Sequence, residues 1–325
     1  MKKKNLLVTG GAGFIGSNLV EALLKDERVA HVRVLDNLAT GKQENLREFL
    51  EHPRFEFMEG DIRDYAICEA ACKDIDLISH QAALGSVPRS IKDPLTTNAV
   101  NIAGTLNVFN AAVQQGIKRV VFAASSSTYG DNTELPKVED RIGKPLSPYA
   151  VTKYVNELYA EVFASIYDFE FIGLRYFNIF GPKQDPNGAY AAVIPLFMKA
   201  AIEGHSPIIN GDGTYSRDFT FVQNAVQGNL LSLFTDQAQA INQIYNIACG
   251  EQTTLNELWE YIQVSTGLEI GAQYGPKRQG DIPHSLAEVH KAKRFLGYQA
   301  KYDIKDGLKL TFEWYRKLRS KSNQL

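Results

Sequence analysis

The chain has 325 residues, which is enough for about two domains with a full core. Apolar residues make up 44% of it and charged residues 22%, as in an ordinary globular protein. A formal net charge of −2 gives no electrostatic basis for binding nucleic acid, and no apolar stretch is long enough to cross a bilayer. We therefore expect a soluble cytoplasmic protein that binds neither nucleic acid nor membrane.

Short apolar runs alternate with longer periodic segments through the first half of the chain. In chain order the patterns predict a strand at 5–9, a helix at 14–25, strands at 31–36 and 55–59, a helix at 64–73, a strand at 75–81, a helix at 94–115, a strand at 119–124, a helix at 148–167 and a strand at 169–175. Strands that alternate with helices imply right-handed crossovers. We therefore predict an α/β fold with a doubly wound parallel sheet that helices cover on both faces.

The predicted helix at 148–167 carries one apolar stripe. Its members recur at spacings of three and four residues and are Val155, Leu158, Tyr159, Val162, Phe163 and Ile166. This periodicity predicts that the stripe packs into the core.

Beyond about Gly181 the regular alternation stops, and the segments become shorter and richer in Pro, Gly and Asn. We predict a first domain of residues 1–180 and a smaller mixed α/β domain of residues 181–325. A strand near 242–248 is expected to return to the first domain.

The three cysteines do not predict a metal site. Cys68 and Cys72 lie one turn apart in a predicted helix, but no His or Cys cluster completes a set of ligands. We expect buried thiols that pack like small apolar side chains, and no bound metal.

A glycine-rich turn joins the first strand to the first helix. Gly10 allows a tight turn, Gly13 lets the backbone approach a pyrophosphate, and Gly16 lets the helix pack close to the strand. The N–H groups at the start of the helix, around Phe14 and Ile15, offer hydrogen bonds and a partial positive charge to a phosphate. The pattern predicts a dinucleotide site.

Acidic residues follow the second and third strands. Asp36 ends the second strand, where a carboxylate can bind both hydroxyls of the adenosine ribose and would repel the extra phosphate of NADP. The neutral Asn37 beside it agrees with NAD as the cofactor. Asp61 and Ile62 follow the third strand and either contact the adenine or belong to a helix cap.

Tyr149 and Lys153 lie four residues apart at the start of a predicted helix and therefore share a face. A free tyrosine has a pKa of about 10, so a neighbouring ammonium group and a nicotinamide cation are needed to favour the phenolate near neutral pH. Ser125, Ser126 and Ser127 follow the strand at 119–124, at the edge where open parallel sheets bind ligands. A hydroxyl there can bond a reacting oxygen and relay its proton to Tyr149.

Several segments occur together in the order and spacing of one enzyme superfamily. They are the glycine turn, Gln81-Ala82-Ala83, the serine run, Tyr149-Ala150-Val151-Thr152-Lys153 and Arg175-Tyr176-Phe177-Asn178. With them, nearly the whole chain resembles the extended short-chain dehydrogenases/reductases and, among these, the nucleotide-sugar 4-epimerases. The resemblance implies a Rossmann-like NAD-binding domain, a smaller domain for the nucleotide sugar, and a homodimer formed through the helices at 94–115 and 148–167.

The resemblance also implies roles for individual residues. Ser125, Tyr149 and Lys153 would be catalytic, with Ser126 or Ser127 sharing the role of Ser125. The implied cofactor contacts are Gly10, Gly13, Phe14, Ile15, Gly16, Asp36, Asn37, Asp61, Ile62, Gln81, Ala82, Ala83, Asn101, Tyr149, Lys153 and Tyr176. The implied substrate contacts are Ser86, Ser125, Ser126, Ser127, Tyr149, Asn178, Val193, Arg217, Arg278, Asp281 and Ser285.

The residues after Ser125 bear on the type of reaction. Related 4,6-dehydratases carry a motif similar to Thr-Asp-Glu at this place, and related decarboxylases have a Glu. Ser126 and Ser127, in contrast, carry no carboxylate. The remaining chemistry is oxidation and re-reduction at C4 of the sugar. Tyr149 would remove the proton of the 4-hydroxyl, and a tightly bound NAD would act catalytically.

Ser285, four residues after Asp281, takes the place of a bulky Tyr that is typical of glucose-specific epimerases. Its small side chain leaves room for a 2-acetamido group. Gly85-Ser86-Val87-Pro88-Arg89-Ser90 also resembles the subgroup that prefers N-acetylated sugars. UDP-N-acetylglucosamine and UDP-N-acetylgalactosamine are therefore the expected substrates, and the alternatives are UDP-glucose, UDP-glucuronate with Arg89 on its carboxylate, and a non-catalytic sensor of NAD or a sugar nucleotide.

Overall fold

The structure is a computed structural model that describes residues 2–188, 191–277 and 282–322. Its strands are β1 (Lys4–Thr9), β2 (Val29–Asp36), β3 (Phe55–Glu59), β4 (Leu77–His80), β5 (Arg119–Ser125), β6 (Glu170–Tyr176), β7 (Ile179–Phe180), β8 (Ile208–Asn210), β9 (Ser216–Arg217), β10 (Thr220–Phe221), β11 (Gln243–Ile247), β12 (Thr253–Thr254) and β13 (Gln273–Gly275). One sheet has the order β11–β6–β5–β4–β1–β2–β3, and all its neighbouring strands are parallel. This confirms the predicted Rossmann-like α/β fold.

Helices cover both faces of this sheet. The α-helices of the described residues are α1 (Phe14–Lys25), α2 (Tyr65–Cys72), α3 (Val87–Lys92), α4 (Pro94–Asn98), α5 (Thr105–Gln114), α6 (Pro148–Ile166), α7 (Val193–Glu203), α8 (Val222–Phe234), α9 (Leu255–Thr266), α10 (His290–Leu296) and α11 (Ile304–Ser322), of which α7, α9 and α11 pack away from this sheet. Because successive side chains of a strand point to opposite faces, Leu6 and Val8 of β1 pack with α1 and α8, whereas Leu7 packs with α2, α5 and α6. Across the described ranges, none of the helices combines the length and apolarity that a membrane crossing requires.

The predicted helix at 94–115 is helical along its length but not uniform. α4 continues into a π-helical segment, Ala99–Gly104, before α5 begins. The side chain of Asn101, in the π segment, accepts from the N–H of Leu84 at 2.8 Å and donates to its carbonyl at 3.2 Å. The preceding α3, which periodicity did not predict, begins at a Ser86 cap with Pro88 in its first turn. The π segment and α3 together set the course of the backbone between β4 and α5.

The prediction that the apolar stripe of α6 packs into the core is wrong for three of its members. Leu158, Val162 and Ile166 are 43%, 52% and 61% exposed. The buried face of α6 instead carries polar residues, among them Lys153 and Glu157. The helical period was correct, and Phe163 does lie in the core. The sheet-facing side of this helix, however, also carries charged groups, and the three exposed members of the stripe face outward.

The second half of the chain forms short sheets beside the cleft. β10 pairs with β7, β12 with β9 and β13 with β8. α7, α9 and α11 enclose a separate core that includes Phe197, Trp259 and Tyr315. β11 joins the edge of the main sheet beside β6. The division of the chain at residue 180 stays a prediction.

Candidate active site

A cleft of about 1160 Å³ follows the carboxyl ends of the central strands. The predicted cofactor contacts that line it are Gly10, Gly13, Phe14, Ile15, Gly16, Asp36, Asn37, Asp61, Ile62, Gln81, Ala82, Ala83, Tyr149, Lys153 and Tyr176. Asn101 does not line it, because its buried side chain bonds the backbone of Leu84 and the hydroxyl of Thr152. The predicted substrate contacts along this cleft are Ser86, Ser125, Ser126, Tyr149 and Asn178.

The glycine turn after β1 has no room for side chains, because its backbone packs closely against itself and against Ala82. Gly10 has a φ of +69°, and a Cβ there would lie 2.6 Å from the backbone nitrogen of Ala82. A Cβ on Gly16 would lie 2.1 Å from the carbonyl oxygen of Gly10. Gly13, at the N-cap position of α1, has no side chain to cap the helix. The N–H groups of the first turn of α1 can therefore donate to a phosphate.

Asp36, at the end of β2, is buried beside this turn. Its two oxygens accept from the backbone N–H groups of Ala12 and Leu38, each at 2.9 Å. Burial raises the pKa of its carboxyl above the ordinary value, and the backbone hydrogen bonds oppose that shift. The carboxylate is thus held at the place where a ribose diol is expected.

Asp61 follows β3 and lines the same end of the cleft. Arg63 donates to both of its oxygens, and with Asn37 Nδ2, at 2.8 Å, it lowers the pKa of Asp61 to about 2. Asp64, not Asp61, caps α2. The helix-cap alternative for Asp61 is therefore excluded, and its carboxylate faces the cleft beside the buried Ile62.

Ser125, Tyr149 and Lys153 meet on one wall of the cleft. Ser125 ends β5, and the other two lie in the first turns of α6. Lys153 is buried, its Nζ donates to the carbonyl oxygen of Ala123 at 2.7 Å, and burial lowers its pKa to about 8. Burial raises the pKa of Tyr149, while a hydrogen bond with Ser125 acts in the opposite direction. The predicted catalytic residues thus form one constellation.

The three serines differ in position. Ser127 donates to Ser125 Oγ through its hydroxyl at 2.9 Å and its N–H at 3.2 Å. Ser126 lines the cleft, whereas Ser127 stands behind Ser125 and does not line it. Because the oxygen of Ser125 already accepts two hydrogen bonds, its own proton can be donated toward the cleft.

A buried amide network holds Tyr176 and Gln81 against the cleft. The hydroxyl of Tyr176 donates to Gln81 Oε1 at 3.1 Å and accepts from Asn229 Nδ2 at 2.7 Å. Gln81 Nε2 donates to Ser79 Oγ at 2.9 Å and to Asn229 Oδ1 at 3.0 Å. Asn229, which is buried in α8, was not among the predicted contacts. The buried face of this helix also carries Asn224 and Ser232, so its polarity alone does not single out Asn229.

A second cavity, of about 620 Å³, adjoins the cleft. The predicted substrate contacts Asn178, Val193 and Arg217 line it. Arg217 ends β9, and its Nη1 donates to the carbonyl oxygens of Ser216 at 2.9 Å and Pro283 at 3.1 Å. A guanidinium is therefore anchored at the wall of this cavity.

Asp218 joins the segments around the second cavity. Its buried carboxylate accepts from the N–H groups of Cys249, Gly250 and Ala287 at 3.0, 3.0 and 3.2 Å. Burial raises its pKa to about 7. Asn178 Nδ2 donates to the carbonyl oxygen of Asp218 at 3.1 Å, so the same residue also orients a predicted substrate contact.

The remaining predicted contacts follow β13. Arg278 and Asp281 lie outside the described residues. Lys277, which was not predicted, lines the second cavity, and its Nζ lies 5.3 Å from the ring centroid of Tyr215. Ser285 is half-buried, its N–H donates to β9 at 3.1 Å, and it is not part of the lining of either cavity as far as the described residues define them.

Known proteins share both this sequence and this fold. Residues 6–248 match the NAD dependent epimerase/dehydratase family. The UDP-glucose 4-epimerase of Mycolicibacterium smegmatis is 34% identical over 312 residues, which cover 95% of this chain and 98% of that one. The solved UDP-N-acetylglucosamine 4-epimerase of Methanobrevibacter ruminantium, in complex with UDP-N-acetylmuramic acid, has a TM-score of 0.92 at 41% identity over 98% of this chain and 100% of that one.

The solved UDP-glucose 4-epimerase of Thermotoga maritima, with UDP-glucose, has a TM-score of 0.90 at 37% identity, over 97% of this chain and 99% of that one. The chain therefore belongs to the NAD dependent epimerase/dehydratase family, and it is an NAD-dependent UDP-sugar 4-epimerase.

Proposed function

We propose that the protein interconverts UDP-N-acetylglucosamine and UDP-N-acetylgalactosamine by reversible epimerisation at C4. The observation that carries the chemistry is the meeting of Ser125, Tyr149 and Lys153 on one wall of the cleft that also holds the glycine turn. A proton acceptor, a cationic neighbour and a hydroxyl relay thus share one site. This complete set favours an enzyme over a non-catalytic sensor.

In the proposed mechanism Tyr149 accepts the proton of the sugar 4-hydroxyl, directly or through Ser125, and returns it at the end. When bound, NAD supplies a reversible hydride acceptor for C4 and is not consumed. Burial alone raises the pKa of Tyr149, so a nearby positive charge is needed to stabilise the phenolate. Lys153 supplies that charge, because with a pKa of about 8 its ammonium remains mostly protonated near neutral pH.

We assign the nucleotide part of the substrate to the second cavity. Arg217 lines it, and a guanidinium suits a diphosphate because its fork binds two oxygens. Asn178 and Val193 line the same cavity, and Arg278 and Asp281 complete the proposed set on the diphosphate and the uridine ribose. With the diphosphate held, the flat 4-keto sugar can turn and present its other face.

The proposal of an N-acetylated sugar as substrate is based on two small side chains. Ser86 lines the cleft and is half-buried, and Ser285 replaces a larger side chain at the proposed gate. Two other sugars remain as alternatives. UDP-glucose needs no additional contact, and UDP-glucuronate is favoured by Arg89, which lines the cleft near Ser86.

We also propose that two copies associate through α6 and the helices at 94–114, and that the protein acts in the cytoplasm. Leu95 on α4 is 84% exposed and adds to the exposed stripe of α6 that contains Val162. Contiguous exposed apolar side chains are typical of an association surface. Sedimentation analysis tests the dimer, because Val162→Glu should give a monomer.

A product assay tests the proposed activity. The purified protein is incubated separately with UDP-N-acetylglucosamine, UDP-glucose and UDP-glucuronate without added cofactor, and the products are resolved by NMR. We expect the acetylated sugar to be converted fastest to its C4 epimer and Tyr149→Phe to abolish conversion. Faster conversion of either other sugar would contradict the proposed substrate, and a strict need for stoichiometric added NAD would contradict the mechanism.

A further inference from the structure

A buried ion pair lies behind the catalytic wall. Arg175 on β6 and Glu157 on α6 are only 3% and 2% exposed. Arg175 Nε donates to Glu157 Oε1 at 2.9 Å, and Nη2 donates to Oε2 at 2.7 Å. Because an isolated charge at this depth would be strongly unfavourable, the two opposite charges compensate each other in the buried pair.

Arg175 also contacts two segments that lead into the site. Its Nη1 donates to the carbonyl oxygen of Glu139 at 2.8 Å, in the segment before α6. Its guanidinium lies 4.9 Å from the ring centroid of Tyr129, at the end of the turn that begins at Ser126. One side chain therefore connects the catalytic helix, the serine turn and the segment that leads to Tyr149.

Glu157 lies one helical turn beyond Lys153, on the same face of α6. Burial lowers the pKa of Lys153, and the carboxylate of Glu157 opposes that shift. His80, on β4, is neutral because burial lowers its pKa to about 3. Other titratable or charged groups on the elements around Lys153 include Tyr149 on α6, Tyr176 and Arg175 on β6, and Tyr129 and Glu139 in the chain between β5 and α6. Arg119 on β5 and Glu170 on β6 lie at the opposite end of those two strands.

We propose that Arg175 and Glu157 are positioning residues, which as a neutral pair hold α6 and the serine turn in register and set the charge that Lys153 experiences. Neither side chain lines the cleft, so neither touches cofactor or sugar. The inference rests on the proposed roles of Tyr149 and Lys153. It predicts that removing the charge of Glu157 and removing the charge of Arg175 shift the pH profile of kcat in opposite directions.

The test compares Glu157→Gln, Arg175→Met and the neutral double variant as full-length, NAD-loaded protein. In each single variant kcat should fall roughly 10- to 100-fold from misplacement of the catalytic groups, while KM changes less than about threefold.

The pH profiles should differ between the two single variants. Loss of the carboxylate makes neighbouring protons easier to release, so the pH profile of kcat in Glu157→Gln should move to lower pH by about one unit. In Arg175→Met the carboxylate of Glu157 remains beside the Lys153 ammonium, so the profile should move to higher pH. In the double variant it should return to the position of the unmodified protein.

A control ion pair lies at the opposite end of β6. Arg119 on β5 donates to Glu170 on β6 at 2.9 Å, away from Lys153. Arg119→Met and Glu170→Gln should leave the pH profile unchanged. Arg175→Lys, which keeps the charge but not the fork, should lower kcat without moving the profile.

Shifts in the same direction, or none, in two folded single variants would overturn the inference. If the single variants do not fold, kcat is measured in the double variant. The proposal expects it to be lowered there, and an undiminished kcat would equally overturn the proposal. Nitrogen NMR of lysine-labelled protein follows the titration of Lys153 without any sugar. A Tyr149→Phe variant that still turns over would contradict the proposed function alone, since the opposing shifts of Lys153 are measured independently of it.

Discussion

Two regions are held in place by different kinds of structure: the cofactor side, which is the cleft beside the glycine turn, and the nucleotide side, which is the second cavity that we propose for the nucleotide. On the cofactor side, residues such as Asp36, Ser125 and Tyr176 end strands of one parallel sheet, where neighbouring strands fix each backbone. On the nucleotide side, Arg217 ends a two-residue strand, and the hydrogen bonds of Asp218 to three backbone N–H groups join the surrounding segments. We therefore expect substitutions on the first side to change the rate and cofactor retention, and those on the second to change substrate binding.

Removal of the Tyr149 hydroxyl should have the largest effect. Tyr149→Phe keeps the ring that packs in the cleft but deletes the proton acceptor, so kcat should fall about 10²- to 10⁴-fold. Bound NAD per chain and thermal stability should stay close to those of the unmodified protein. A fall in bound NAD as large as the fall in kcat would show that the tyrosine acts mainly on cofactor binding.

A smaller effect of a different kind is expected on the nucleotide side. Arg217→Met should raise KM for the UDP-sugar about 10- to 100-fold, because charge-assisted hydrogen bonds to phosphate are lost, while kcat changes little. Arg28→Met, which removes a partly exposed arginine paired with Asp26, is the control. A loss confined to kcat would contradict the distinction between the two sides.

A substitution of Asn229 tests whether retention of NAD on the cofactor side also depends on the second half of the chain. Asn229→Leu removes the bonds to Tyr176 and Gln81, so bound NAD should be lost about tenfold more readily during gel filtration. Ser232→Ala, one turn along α8, is the control because, within the described ranges, its hydroxyl bonds the carbonyl of Gly228 in the same helix and no other group. Equal retention of NAD in both variants would assign Asn229 to packing.

The smallest loss of activity, but the one most selective between sugars, is expected from a substitution of Ser285. Ser285→Tyr should lower activity on UDP-N-acetylglucosamine relative to UDP-glucose by about tenfold, because a bulky side chain costs roughly 1–3 kcal/mol where an acetamido group must fit. The activity on UDP-glucose in the same preparation serves as the control. Equal loss on both sugars would remove the gate hypothesis.

Local patterns predicted the strands, the glycine turn and the shared face of Tyr149 and Lys153 because each depends on residues close in sequence. The place of Ser125 beside them was inferred from the rule that open parallel sheets bind ligands at the carboxyl ends of their strands, and from the family resemblance. The buried bond between Gln81 and Asn229 joins residues 148 positions apart, so no local pattern could reveal it. The apolar stripe of α6 was misplaced because periodicity identifies an apolar face without showing what covers it. The π segment at Ala99–Gly104 was missed because one extra residue in a turn leaves the overall helical pattern unchanged.

Helix α6 carries unlike groups on its two long faces. Lys153 and Glu157 point inward, and the exposed apolar stripe with Val162 points outward. A one-residue insertion or deletion in its middle would turn everything beyond it by about 100°, bringing charge to the surface and apolar groups inside. During divergence the helix is therefore expected to change by substitution and not by length, and tolerance to indels should be lowest here among the helices of the sheet.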